Sequence, residues 1–438
     1  MHLAQAVLER AAGTAGSHRV TAVPGRNYDL VLLGATGFVG RLAASYLAHH
    51  ADTGRLAWAI AGRDRNKLEA VRAKCGSIPD VVLADTRDPA SLDRLAASAR
   101  VLATTAGPFD LYGGPVVDAC VRARTHYLDI TGETVWVKGL IDRYHERAAA
   151  EGTRIVPCCG FDSVPSDLGS FLLVRHLQEK LHARCLWMKA YFKAYGGWNG
   201  GTLASKIHNF DSGQSERSRD SHILDPAGAI SGKLIERDQD VRGVLLDSDI
   251  GTWVGPFFMA PTNTRVVRRS AALYAEWGSA YGPDFAYQEF LRYDAPLARI
   301  KAVGVTAILA MFDRALETPA LRRLVMPLLP KPGQGPSAST MEKGWFTCEL
   351  LARTDDGRLA HARLRDRGDP ANRVTVKCLC ESALTVAIDV DALPGGPARG
   401  GVLTPATALG EPLAARLRKA GMQIEIGDAA DATAHLAE

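Results

Sequence analysis

Three glycines stand three residues apart in the run Gly34-Ala-Thr36-Gly37-Phe38-Val-Gly40. The run directly follows an apolar β-rich stretch, Asp29–Leu33, and opens a helical pattern, Val39–Ala48. Glycine at such a turn can take positive φ, and its missing side chain lets backbone N–H groups close on a pyrophosphate that a helix N-terminus also attracts. The last glycine lets helix pack closely on strand. The spacing is not the commoner Gly-x-Gly-x-x-Gly, so its weight comes from its place between strand and helix. Gly34, Thr36, Gly37, Phe38 and Gly40 are the residues expected to line a dinucleotide.

Which dinucleotide is read from the end of the second strand, Ala61-Gly62-Arg63-Asp64, with Lys67 one turn into the next helix. The planar fork of Arg63 suits a phosphate and Lys67 adds a second charge, which favours NADP(H) over NAD(H). Asp64 has two other readings, as an acid for ribose hydroxyls or as a helix N-cap. Asp85 ends strand three, where polar groups can meet the adenine, and Ala106-Gly107-Pro108 ends strand four, where the backbone can lie beside the nicotinamide.

Ligands of such sheets bind beyond the carboxyl ends of the strands. That rim carries Asp129 after strand five and Cys158-Cys159-Gly160-Phe161-Asp162-Ser163 after strand six. Gly160, Phe161 and Ser163, with Gly201 and Thr202 further along, are expected to face substrate. Asp162 and Ser163 could equally cap the helix that Pro165 opens. A reduction also needs a proton source. Tyr112, Asp129, Asp162 and Tyr195 occupy suitable places and none stands out. The Tyr with Lys four residues later of short-chain reductases is absent, since none of the eleven tyrosines has it.

The elements that must position these groups alternate. Strands at Asp29–Leu33, Ala57–Ala61, Val81–Ala84, Val101–Thr105, Tyr127–Ile130 and Arg154–Cys158 alternate with helices at Val39–Ala48, Asn66–Cys75, Pro89–Ala97, Pro115–Arg122, Val135–Ala150 and Pro165–Glu179. Near-continuous apolar strands separated by helices predict a parallel sheet covered on both faces, a doubly wound Rossmann architecture. The second half reads as an α+β domain on a mainly antiparallel sheet. Its strand candidates are Leu186–Ala194, Trp253–Met259, Phe285–Tyr293 and a hairpin of Phe346–Ala352 with Ala360–Asp366. Thr404-Pro405 caps a final helix ending near Ala420. The expected organisation is an N-terminal extension (1–26), a dinucleotide-binding domain (27–182), a substrate and dimerisation domain (183–393) and a C-terminal segment packing back on the first domain (394–438).

Composition excludes other classes. The 438 residues carry 52 basic and 48 acidic side chains, a formal +4, which is no footprint for nucleic acid. The longest stretch free of charge, Ile250 to Thr264, spans 15 residues, too short for a transmembrane span. Eight cysteines without a Cys-x-x-Cys predict a reduced, cytoplasmic chain. A metal site at Cys378-x-Cys380 would need those residues on one side of a strand, and no metal is expected.

Beyond single motifs, the Gly34–Gly40 run, Ala-Gly-Arg63, Ala-Gly107-Pro108-Phe with Tyr112-Gly, Tyr-Leu-Asp129-Ile-Thr-Gly-Glu133 and Cys-Gly160-Phe-Asp162-Ser-Val-Pro165-Ser-Asp167 occur in one order. Gly200-Gly201-Thr202, Arg265-Val-Val-Arg268-Arg269-Ser270, Lys331-Pro-Gly-Gln-Gly-Pro336, Gly344-Trp-Phe346 and Gly400-Gly-Val-Leu-Thr404-Pro405 extend it. From Tyr28 on, the chain resembles the saccharopine-dehydrogenase-like oxidoreductases, and within them the trans-acting enoyl reductases. The resemblance implies an NADP-type domain, an α+β domain over the nicotinamide, and reduction of a carbon–carbon double bond on an acyl or polyketide-type, small-molecule or carrier-bound substrate. Gln334 stands where an acid is usual, Asn199 where Ser is common, and Gly368–Arg373 lacks an expected Tyr.

Two features bear on partners. Ile300–Leu329 mixes apolar stretches with Lys301, Arg314, Arg322 and Arg323, and could be helices packed on the sheet or a surface for lipid, giving peripheral membrane contact. Arg265, Arg268 and Arg269 could form a solvated strand edge or attract an acidic carrier, while Ser212–Asp240 reads as a flexible surface loop. A homodimer is compatible with the sequence. The rivals to an enoyl reductase are a dinucleotide-binding protein without turnover at a lipid surface, and a reductase of a saccharopine-type imine.

Overall fold

A computed structural model describes residues 25–76, 78–226 and 238–428. Most of the expected N-terminal extension and part of the expected 212–240 loop thus lie outside the described residues. The first half alternates as β1 (Tyr28–Leu33), α1 (Phe38–Ala48), β2 (Trp58–Gly62), α2 (Arg65–Lys74), β3 (Asp80–Leu83), α3 (Pro89–Ser98), β4 (Ala99–Thr104), α4 (Phe109–Ala123), β5 (His126–Asp129), α5 (Thr134–Ala150), β6 (Arg154–Val156) and α6 (Val164–Lys180). Strands β1 to β6 pair in parallel, and β13 (Gly401–Val402) joins them in the order β13-β6-β5-β4-β1-β2-β3. The strand sequence changes direction beside β1, which defines the switch point where such sheets bind nucleotides.

Side-chain alternation places the two cores. Val31, Leu33, Ala59, Ala61 and Leu102 point to the face covered by α3, α4 and α5, while Leu30, Leu32, Ile60, Val101 and Ala103 point to the other. Helix α6 is buried nearly all round, from Val164 to Leu177, as expected of a helix enclosed by protein. It packs on strands of the second sheet and on the helix Pro405–Lys419.

The second half contributes β7 (Cys185–Tyr195), α7 (Gly200–Asp211), the short α8 (Ser215–Ser218), β8 (Leu245–Asp247), β9 (Thr252–Pro256), α9 (Ala260–Glu276), β10 (Ala286–Tyr293), α10 (Ala298–Glu317), α11 (Pro319–Val325), α12 (Ala338–Lys343), β11 (Trp345–Thr354) and β12 (Leu359–Arg367). Then follow α13 (Thr375–Ile388), β13, α14 (Pro405–Lys419) and β14 (Gln423–Asp428). The second sheet runs β14-β12-β11-β7-β10-β9-β8 and is antiparallel except where β7 meets β10. The last two segments return to different places: β13 extends the first sheet and β14 edges the second. Helix α13 packs against α1, β1, β4 and β5, which welds the two halves together.

Three expectations are corrected. Helix α4 starts at Phe109, not Pro115, because both Glu133 carboxylate oxygens accept its first N–H groups, from Phe109 at 3.0 Å and Asp110 at 2.8 Å. The strand expected at Trp253–Met259 ends at Pro256, since Pro261 opens α9. Arg265, Arg268 and Arg269 lie on that helix, buried, and are neither a strand edge nor a surface for an acidic carrier. Buried guanidinium groups need partners, and the 212–240 segment supplies Asp240 to Arg265, Asp238 to Arg268 (each 2.5 Å) and the Leu224 carbonyl to Arg269 (2.7 Å). Cys378 and Cys380 are buried on α13, a helix rather than a strand. Thr404 caps α14 as expected, in a capping box with Thr407.

Candidate active site

The turn after β1 is built as a phosphate cradle. Gly34 has φ +85°, and a Cβ there would lie 2.9 Å from the Ala106 nitrogen, so only glycine lets β1 and the β4 turn come together. A Cβ on Gly40 would stand 2.1 Å from the Gly34 carbonyl oxygen. Gly37 is the N-cap of α1 and offers no side chain to its first N–H groups, and the first turn holds no acid. Those amides are therefore left for an anion. Arg63, at the end of β2, is exposed with no ion-pair partner among the described residues. The arrangement fits a dinucleotide with an extra phosphate on its adenosine end.

Neighbouring acids are engaged locally. Asp64 caps α2 by accepting from the Lys67 N–H (3.1 Å), and its carboxylate pairs with the Lys67 ammonium at 3.3 Å. Lys67 is thus an exposed, tethered charge beside Arg63. Asp85 accepts from the Arg87 N–H at 3.0 Å in the turn after β3. At the β4 turn, Thr105 donates to the Gly34 carbonyl (3.2 Å) and the Ala106 N–H to Thr104 Oγ1 (3.1 Å), holding the Ala106–Pro108 backbone beside the glycine turn.

Strands β5 and β6 end in carboxylates of different kinds. Asp129 is fully buried; one oxygen accepts from the N–H groups of Thr131 (2.8 Å) and Cys158 (3.2 Å), so it ties the two strand ends together. Burial pushes its carboxyl up to about 7. Asp162 is half-buried, has no hydrogen-bond partner among the described residues, and lies against Gly132, which also abuts Met259 and Thr262. Burial pushes it up to about 7 as well. An acid poised near neutral pH on the functional rim is suited to hold a proton and give it up.

Of the other expected residues, Gly160, Phe161 and Ser163 are buried. Gly160 lies against Thr375, Phe161 packs on Phe346 (4.9 Å between ring centroids) and Phe192 (6.3 Å), and Ser163 sits 3.4 Å from Asn263. They line the seam between the two sheets. Gly201 and Thr202 form the first turn of α7, where Asn199 accepts from both N–H groups, at 2.9 and 3.0 Å. Tyr112 is half-buried in α4, and Tyr195 is exposed at the end of β7, paired with Trp345 across the sheet.

The second half closes on the nucleotide turn through contacts that spacing does not disclose. Arg41 donates to the Thr36 carbonyl at 2.7 Å and to the Gly333 carbonyl at 3.1 Å. Gly335 lies so close to Phe38 that a Cβ would come within 2.4 Å of its ring. Gln334, the departure from an acid, accepts the Lys331 N–H and closes the 331–336 loop, while its own carbonyl accepts from Gly200. His208 on α7 meets Asp110 of α4 at 2.8 Å. Behind Ser163 runs a buried chain from Asn263 to Glu289 (2.9 Å), which also accepts from Tyr287 (2.8 Å). The sequence signal available was the cation Arg41 directly after Gly40; the Glu289 chain and the His208–Asp110 pair join residues too distant for any pattern to link.

Residues 30–156 match the model of the saccharopine dehydrogenase NADP binding domain. The trans-acting enoyl reductase of Mycobacterium tuberculosis is 38% identical over 421 residues, covering 91% of this chain and 97% of that protein. The trans-acting enoyl reductase of Mycobacterium ulcerans is 36% identical over 418 residues, with the same coverage. Among solved structures, apo saccharopine dehydrogenase (L-Glu forming) of Saccharomyces cerevisiae covers 91% of this chain and 99% of its own at 13% identity, with a TM-score of 0.48.

Proposed function

The chain belongs to the family of the trans-acting enoyl reductases, NADP-dependent oxidoreductases of saccharopine-dehydrogenase type, and from that premise we propose that it reduces a carbon–carbon double bond of an apolar, carrier-bound acyl substrate. Bound NADPH supplies the hydride. The amides at the start of α1 hold the pyrophosphate, Arg63 takes the 2′-phosphate and Lys67 adds a second charge. The Ala106–Pro108 backbone orients the nicotinamide end, with substrate in the cleft between the halves. NADPH would supply hydride for one alkene carbon, and the Asp162 carboxyl would give its proton to the neighbouring carbon. The resulting carboxylate recovers its proton from solvent, to which Asp162 is partly open.

The observation that carries this reading is Asp162: a carboxyl raised to about 7, without a hydrogen-bond partner among the described residues, on the carboxyl rim after β6, two strands along the sheet from the β4 turn. Nearby Met259 and the Phe257–Phe258 pair, whose rings are 5.0 Å apart, supply apolar surroundings for an acyl chain. Stopped-flow mixing of the NADPH-loaded protein with 2-enoyl pantetheine thioesters tests it. The expected result is NADPH oxidation with a saturated thioester as product. Tight NADPH binding without oxidation by enoyl thioesters of any chain length overturns the reading.

A further inference from the structure

Helices α10 and α11 form a hairpin that the rest of the fold leaves largely uncovered. Over its 20 residues α10 buries only Ala298, Ala302 and Leu316, and α11 buries nothing. One side of α10 is anchored: the Phe312 ring meets Trp198 at 5.8 Å, and Asp313 pairs with Lys206 at 2.6 Å. The other side presents Ile300 (66% exposed), Val303 (52%), Ile308 (64%) and Met311 (69%) on one stripe, and the segments that follow expose Leu324 (72%) and Leu328 (84%) as well. No charged residue interrupts the eleven positions 302–312. Contiguous apolar patches of this kind mark interaction surfaces.

Charge identifies the occupant. Between Ala295 and Ser337 stand six basic and two acidic residues, so the whole chain's formal +4 resides in this one segment. Both acids are matched, Asp313 by Lys206 and Glu317 by Arg314 (3.2 Å). Arg299, Lys301, Arg323 and Lys331 are exposed without an ion-pair partner among the described residues. An uncharged apolar stripe flanked by unmatched cations is the pattern of a helix lying in the plane of an anionic bilayer. No helix of the described residues is long and apolar enough to cross one.

We propose that the α10–α11 hairpin docks the protein on anionic phospholipid membranes, with its apolar stripe in the lipid boundary and its cations at the headgroups. The hairpin runs directly into the 331–336 loop over Phe38, and Trp198 links Phe312 to Phe258 (5.3 Å between rings), next to Met259 and the Asp162 rim. Resting on the reaction proposed above, this path would let an acyl chain pass from bilayer to active site without crossing water. Docking itself needs neither cofactor nor substrate, so its test stands apart from that of the reaction.

The test is flotation of the full-length chain with vesicles of phosphatidylcholine alone or with added phosphatidylglycerol. Flotation with the anionic vesicles, falling as salt rises, is expected. Ile308→Asp with Met311→Asp should abolish it. Lys301→Ser with Arg323→Ser should weaken partition by roughly 25-fold, at about fivefold per cation. NADPH binding, unchanged in both variants, reports that they fold. No flotation, or flotation that Ile308→Asp with Met311→Asp leaves intact, overturns the proposal. So does a concentration-dependent dimer, or capture of an acidic carrier protein, that this pair abolishes without vesicles, because the face would then belong to a protein.

Discussion

Replacing Asp162 by Asn should separate proton transfer from everything else the site does. An ordinary aspartate is protonated in only about one molecule in a thousand at pH 7. With its carboxyl pushed up to about 7 by burial, Asp162 is protonated in about half of the molecules at that pH. The single-turnover rate of NADPH oxidation should therefore be level on the acid side and fall about tenfold per pH unit well above 7. An amide cannot replace the acid, and loss of a positioned proton donor costs about 10²–10⁴ in rate. Asp162→Asn should accordingly lose at least about a hundredfold near pH 6 and lose the alkaline limb as well. Asp162→Glu should keep a limb, displaced in pH, at reduced rate. NADPH affinity should change little in either variant, because Asp162 follows β6 while the nucleotide turn follows β1. Stopped-flow absorbance across pH, with fluorescence titration of NADPH, reads all of these. An Asp162→Asn protein that keeps its rate within about threefold and retains the same limb would refute the assignment.

Three further outcomes are expected. Arg63→Ala should weaken NADPH binding about 10- to 100-fold, the worth of a charge-assisted phosphate contact, and NADH binding by less than about twofold; equal losses in calorimetric titration would remove Arg63 from the 2′-phosphate. Gly40→Ala places a methyl where a Cβ would lie 2.1 Å from the Gly34 oxygen, so stability should fall by about 1–3 kcal/mol and NADPH affinity should drop at least about tenfold, whereas Gly37→Ala, with 3.3 Å to the same atom, should be milder. Buried Asp129, Asp167 and Glu289, and half-buried Asp162, are all pushed up to about 7. The folded state therefore holds their protons more tightly than the unfolded chain, and the stability this gives is complete below about pH 4 and lost as pH rises through 7. The melting temperature should fall between pH 5 and 8, and Glu289→Gln, removing a contribution of roughly 3 kcal/mol, should flatten that fall.

The legible part of this molecule was the part written in local periodicity. Alternation of apolar strands with helices located β1 to β6 of the parallel sheet to within a few residues, because such strands must be apolar on both faces, but the two-residue β13, which joins that sheet from the far end of the chain, carried no such pattern. The Gly34–Gly40 turn was equally plain, since only glycine allows the approaches seen there, and Thr404-Pro405 announced α14. Arg63 could be singled out from its place at a strand end. What misled was context. Three arginines in one run look like a solvated surface, yet Asp238, Asp240 and a loop carbonyl arrive from elsewhere to take them inside. Pro115 looks like a helix start, but a carboxylate 24 residues beyond Phe109 caps α4 there, six residues before the proline.

Sequence by itself thus determined the nucleotide-binding half, its glycine turn and the family to which the chain belongs. Tertiary structure decided what each carboxylate on the rim does. Asp64 caps a helix, Glu133 caps another, Asp129 ties two strand ends, and Asp162 is half-buried and has no hydrogen-bond partner among the described residues. In the sequence these are four acids at strand ends or just beyond. Their chemistry diverges because hydrogen-bond donors and solvent exposure are set by chain segments far apart in sequence, and it is those surroundings that set the free energy of holding a proton.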